Sequence, residues 1–153
     1  MKTLTKIAVL LTLTVSIATA QVTPEMIDKY IGTKVGTGLC YELALQINKD
    51  YHKQIKKRFH KDEWDGRKLK KGETPIVGDL IRFHGVEYYD GERNGSWKAA
   101  SHVAVIYKII SEGEYIIADQ NGQGELKLSR VKLRRFSVSG VYEGKINYFT
   151  FQR

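Results

Sequence analysis

The chain holds a single cysteine, Cys40, among 153 residues, and that scarcity excludes several architectures. One cysteine forms no intramolecular disulfide and makes a poor metal site. After residue 20 no stretch approaches the roughly 18 consecutive apolar residues of a spanning helix, so the mature chain is expected to be soluble and without a membrane anchor. Internal repeats, low-complexity tracts and linkers are missing too, which leaves room for one domain. Acids are the scarcer charge: 17 Asp and Glu stand against 25 Lys and Arg, a formal net charge of +8.

What is present begins with residues 1–20, which read as a signal peptide. Lys2 and Lys6 form a positive start, Ile7 to Ile17 an apolar stretch, and Ala18-Thr19-Ala20 a small-residue cleavage site before Gln21. Export to the periplasm or the cell exterior is therefore expected, with residues 21–153 forming a single domain. An exported chain of this size with one unpaired thiol leaves three readings of Cys40: a core thiol, an intermolecular bridge or a nucleophile.

The positive surplus is local. Between Lys49 and Lys71 lie ten Lys and Arg against four acids. Such a segment suits an anionic wall polymer, a membrane surface or nucleic acid, and export disfavours the last of these. It is equally what a solvated helix face followed by a loop looks like.

The pattern predicts α+β. Thr23-Pro24-Glu25 opens a short helix through about Ile31, with threonine as cap and proline in the first turn. Gly32 to Gly38 is a turn. A second helix starts near Leu39, capped by Thr37 or Gly38, with Leu43, Ala44 and Ile47 following Cys40 on one apolar stripe; it is expected to run to Phe59. Residues 61–74 look like a charged loop. Strands are expected at Leu80–Phe83, His102–Ile110, Glu114–Asp119, Arg130–Phe136, Gly140–Tyr142 and Lys145–Phe151, with Glu112-Gly113 as a hairpin turn. His84 to Ser101 reads as a long loop holding Tyr88, Tyr89 and Trp97. Its aromatics suit stacking on sugars or clamping a peptide, and equally suit pinning the loop to the sheet. The sum is N-terminal helices packed on a curled antiparallel sheet of about five or six strands.

Cys40 falls where a glycine-rich turn, Gly36-Thr37-Gly38-Leu39, enters that second helix. A thiol in the first helical turn has its thiolate stabilised by the helix N-terminus and its unpaired N–H groups. His102 opens an apolar strand, Ser101-His102-Val103-Ala104-Val105, and Asp119-Gln120-Asn121 ends the next. Thiol, imidazole and a polar orienting group are the requirements of nucleophilic acyl transfer. With Glu112-Gly113 as the turn, Asn121 lies opposite Ala104 and Asp119 opposite Ile106. His102 then shares a face with Asp119 and Asn121, Asn121 is its diagonal neighbour, and Gln120 points away. A one-residue slip would bring Gln120 to the histidine instead. His52, His60 and His84 read as surface or loop residues, no metal set is completed, and Asp79 reads as a turn residue.

Cysteine after Gly-x-Gly-x, then Val77-Gly78-Asp79-Leu80-Ile81-Arg82-Phe83, then His102-Val103-Ala104-Val105-Ile106, then an acid and an asparagine two apart, resembles the CHAP amidohydrolase/peptidases. The resemblance covers roughly residues 36–121, and Gly144-Lys145-Ile146-Asn147-Tyr148-Phe149 is similar to the family's final strand. It implies a papain-like fold, no cofactor, and hydrolysis of peptidoglycan amide bonds, as an endopeptidase or an N-acetylmuramoyl-L-alanine amidase. Cys40 would be the nucleophile, His102 the base and then the acid, and Asp119 or Asn121 the orienting group, with backbone N–H groups at the start of the cysteine helix stabilising the oxyanion. Two departures stand out. Leu39 replaces the polar residue, commonly glutamine, before the cysteine, and Asp119 replaces the commoner glutamate. A non-catalytic wall- or partner-binding module on the same fold, and a transpeptidase or acyltransferase using the same thioester, remain alternatives.

Overall fold

The computed structural model describes residues 20–90, 95–121 and 129–152; the signal-peptide reading of residues 1–20 falls, all but Ala20, outside the described residues. Among the described residues two α-helices, α1 (Pro24–Asp28) and α2 (Cys40–Gln54), precede six strands: β1 (Arg67–Lys68), β2 (Leu80–Asp90), β3 (Gly95–Ser111), β4 (Glu114–Asp119), β5 (Lys132–Ser137) and β6 (Val141–Thr150). They form one antiparallel sheet in the order β1-β6-β2-β3-β4-β5.

The sheet is strongly curled. Phe83 on β2 and Phe136 on β5 are separated by two strands, which in a flat sheet would place them about 14 Å apart at the usual inter-strand spacing. Their ring centroids are 5.2 Å apart. Tyr115 on β4 and Tyr148 on β6 meet across the same concave side at 6.0 Å. Each face of the sheet therefore carries a buried apolar cluster. Phe83, Val86, Tyr88, Ala104, Ile106 and Phe136 fill the concave face, while Leu80, Val103, Val105 and Ala118 on the other face meet Leu43, Ala44 and Ile47 of α2. Burying each such aliphatic side chain contributes about 1.5–3 kcal/mol, and alternate residues of β3 serve opposite clusters because strand side chains alternate in direction.

Several elements differ from the sequence pattern for identifiable reasons. α1 ends at Asp28, short of Ile31, where the chain turns and Ile31 bridges to Val131. α2 stops at Gln54, before Phe59. Lys56 adopts φ 54° there, and the N–H groups of Lys57 and Lys56 close on the carbonyls of His52 and Lys53. This is a Schellman termination in which lysine occupies the left-handed position that glycine usually takes. The segment 61–74 is not all loop: Arg67–Lys68 pair with Thr150 and Phe149 as the sheet's edge strand. The two final strands are one continuous β6, passing through Gly144 at φ 90°.

The largest difference lies at 84–101, which is no loop. β2 and β3 pair as a long hairpin from Leu80↔Val105 to Asp90↔Gly95, and Tyr88 sits opposite Trp97. Gly85, at φ 58°, marks a bulge in β2 where the register with β6 shifts between His84 and Glu87. A Cβ on Gly144 would stand 2.3 Å from the Gly85 carbonyl oxygen, so the backbones approach only because residue 144 is glycine, while Gly85 is called for by its positive φ and not by space. In the sequence these glycines look like breakers; in the sheet they are the bulge.

Candidate functional site

Strand β4 stops at Asp119, one residue beyond the Val105↔Ala118 pair. Past that point β3 has no partner on its β4 side among the described residues, and the N-terminus of α2 reaches His102 there. Cys40 is the first helical residue, with Leu39 as N-cap. Its thiol hydrogen-bonds the His102 imidazole and also takes the backbone N–H groups of Val103 and Tyr41. His102 is 5% exposed and lies against Phe83 and Trp97, with ring centroids 5.8 and 5.6 Å away.

Its Nε2 is 3.1 Å from Asp119 Oδ2, which leaves Nδ1 for the thiol. Asp119 is 2% exposed, and its second oxygen accepts the Nε–H of Arg134 at 2.9 Å. Asp119 pairs with Lys132 and Ile117 with Arg134, so Arg134 is the diagonal neighbour of Asp119 on the same face. A four-membered chain results: Cys40, His102, Asp119, Arg134.

The electrostatics follow from these contacts. Burial pushes the Cys40 thiol up, but the hydrogen bond and charge of His102, with the two backbone N–H groups, outweigh it and hold the thiol below its ordinary value. For His102, burial favours the neutral ring. The hydrogen bonds and charges of Asp119 and Cys40 reverse this and push it up to about 9. Both shifts run the same way, favouring the thiolate–imidazolium form of the pair over thiol and neutral imidazole.

The register between β3 and β4 carries a correction. The predicted pairing holds at the turn, where Ser111 faces Glu114, but two shifts follow, between Ile109 and Ser111 and between Ile106 and Lys108. Each puts one extra residue on β3. Two single shifts together restore the same face, so His102 still shares its side with Asp119, but the diagonal partner becomes Asp119 in place of Asn121. Asn121 follows the strand in a left-handed conformation, φ 61°, and its Oδ1 is buried with no hydrogen-bond partner.

The aromatic trio does not form a loop subsite. Tyr88 is 8% exposed within the concave cluster, against Phe136 and Trp97. Tyr89 points to the other side and is 49% exposed. Of the three, Trp97 adjoins the site, standing edge-on to the His102 ring. Asp79 is fully buried and bound by the Ile76 N–H and the Gln152 carboxamide, as a turn residue. Among the described residues no three His, Cys, Asp or Glu side chains gather as metal ligands.

Three further residues shape the site. Glu42 lies three positions after the N-cap, and its Oε2 accepts from the Gly38 N–H, the Leu39 N–H and the Thr37 hydroxyl, each at 2.9 Å. This is the glutamate half of a capping box, since Leu39 has no side-chain oxygen to supply the other half. Leu39-x-x-Glu42 was the signal in the sequence. Gln120 and Arg134 carry no signal of their own: Gln120 reaches the loop before Cys40, 85 and 81 residues back in the chain, and Arg134 depends on the β4–β5 register. The chain matches no protein-family model, no curated protein and no solved structure.

Proposed function

We propose that this chain is an exported cysteine hydrolase of papain-like, CHAP type that cleaves amide bonds in peptidoglycan. The observation that carries the reading is the hydrogen-bonded series from Cys40 through His102 to Asp119, with the thiol at a helix N-terminus. Helix on curled antiparallel sheet, with cysteine preceding histidine in the chain, is consistent with that type. Export rests on the N-terminal sequence, and the wall as substrate rests on the resemblance. Exposed Lys49, Lys53, Lys56, Lys57, Arg58 and Lys61 supply positive charge beside α2 that suits an anionic wall polymer.

The Cys40 thiolate adds to the scissile carbonyl carbon, and the C=O electron pair moves onto oxygen. The His102 imidazolium gives its proton to the departing amine as the tetrahedral species collapses to a thioester. Neutral His102 then takes a proton from water, which attacks the thioester and regenerates the thiolate–imidazolium pair. Asp119 fixes the imidazole tautomer and faces its charge. Oxyanion donors narrow by elimination. The N–H groups of Gly38 and Leu39 are engaged by Glu42, and that of Tyr41 by the sulfur. The Cys40 N–H, with no helical partner at this position, is left to receive the oxyanion.

The test is incubation of residues 21–153 with purified sacculi, reading newly released amines and identifying products by mass spectrometry. Wild type should release amines and Cys40→Ala should not. Equal release by both would end the nucleophile assignment. A competing amine in the same assay separates hydrolysis from acyl transfer, since a transferase would yield the new amide.

A further inference from the structure

We infer that Gln120 is a positioning residue: its carboxamide sets the Leu39–Cys40 peptide plane and so aims the Cys40 N–H at the oxyanion. This rests on the acyl-transfer reading of Cys40. Asp119 and Gln120 are consecutive at the end of β4, so their side chains leave on opposite faces. Asp119 goes to His102. Gln120, fully buried, goes to the loop ahead of the nucleophile.

There it accepts the Val35 N–H at 2.7 Å and donates to the carbonyls of Val35 at 3.0 Å and Leu39 at 2.9 Å. One side chain thus clasps both ends of a loop whose Gly36 and Gly38 sit at φ 58° and 102°. Left unclasped, two such glycines cost the loop its definition, because glycine crosses freely between positive and negative φ.

The Leu39 carbonyl also accepts the Glu42 N–H at 3.1 Å, so it is held from the helix side and from β4 together. In a planar trans peptide the C=O and the following N–H point in opposite directions. Holding the Leu39 carbonyl therefore turns the Cys40 N–H outward, away from the protein interior.

Two reactions at the same sulfur separate this role from a merely structural one. Acylation by p-nitrophenyl acetate passes through a tetrahedral oxyanion and expels nitrophenolate; alkylation by iodoacetamide is a displacement with no oxyanion. Gln120→Met, of similar length without a donor, and Gln120→Glu, which keeps the acceptor for the Val35 N–H, should each slow acylation by about ten- to a hundredfold. Alkylation should change less than about twofold, and its pH profile should stay in place. If Met does not fold, Glu gives the same readout. Unchanged acylation, or acylation and alkylation falling together, overturns the proposal. Failure of the wall-hydrolase reading shows separately, as wild-type labelling that is insensitive to His102→Ala or as sacculi left intact.

Discussion

The two ends of the curled sheet use their polar groups in opposite ways. Near the β3–β4 turn, residues 72–75, 111–115 and 137–139, with Tyr148, line an open pocket of about 740 Å³. Its polar groups are turned on one another. Glu73 holds Arg67 by two bonds and caps the Lys70 N–H, Glu114 holds Arg135, and the Ser137 and Ser139 hydroxyls bond each other. Tyr148 bonds Tyr115, and burial together with that bond pushes its hydroxyl well above the ordinary value. At the other end, Cys40, His102, Asp119 and Arg134 form a directed series that ends on a half-buried sulfur, shielded enough to strengthen its pairing with His102 and open enough to meet a substrate. A void has no chemistry without convergent groups, and convergent groups need little void.

Substitutions at the two ends sharpen this contrast. Cys40→Ala should remove turnover by about 10⁴-fold or more, with the fold retained, as read by amine release from sacculi alongside a thermal melt. Asp119→Asn keeps the shape but removes the charge facing His102. Turnover should fall by about 10²- to 10⁴-fold, and the pH profile should move with it. His102 at about 9 loses its proton as pH rises through that value, so the alkaline limb of wild-type activity belongs near pH 9. With the Asp119 charge gone the imidazolium is less favoured, and that limb should shift to lower pH. An unmoved limb would mean that Asp119 does not set the His102 charge.

Arg134→Met leaves one Asp119 oxygen buried without its partner and should cost about 2–3 kcal/mol of stability, measured by urea denaturation. At the far end, Tyr148→Phe deletes one hydroxyl–hydroxyl bond and should cost only about 1 kcal/mol while leaving turnover unchanged. A large loss of turnover in Tyr148→Phe would break the comparison, because the cavity end would then be coupled to the chemistry.

Much of the site was legible in the chain because its elements are local. Cys40 on the first turn of α2 follows from Gly36-Thr37-Gly38 leading into an apolar stripe, and the β4 span from Glu114 to Asp119 follows from its pattern and the Glu112-Gly113 turn. The β2–β3 hairpin was not legible. Gly85 and the charges around it look like a loop, and only pairing with β6 makes them a bulged strand. The choice between Asp119 and Asn121 was hidden too, since two register shifts on β3 leave no mark in the alternation of a strand that is apolar on both faces.

By itself, then, the sequence determined the α+β class, the helix that presents the thiol and the order of the reactive groups, because period, capping and turn chemistry act over a few residues. Tertiary structure alone decided which acid meets His102, that Arg134 backs it, and that Gln120 clasps the nucleophile loop. Those contacts join residues 15 to 85 apart in the chain, and their geometry is set by sheet register and curl, which emerge only when the strands pair and both faces are buried.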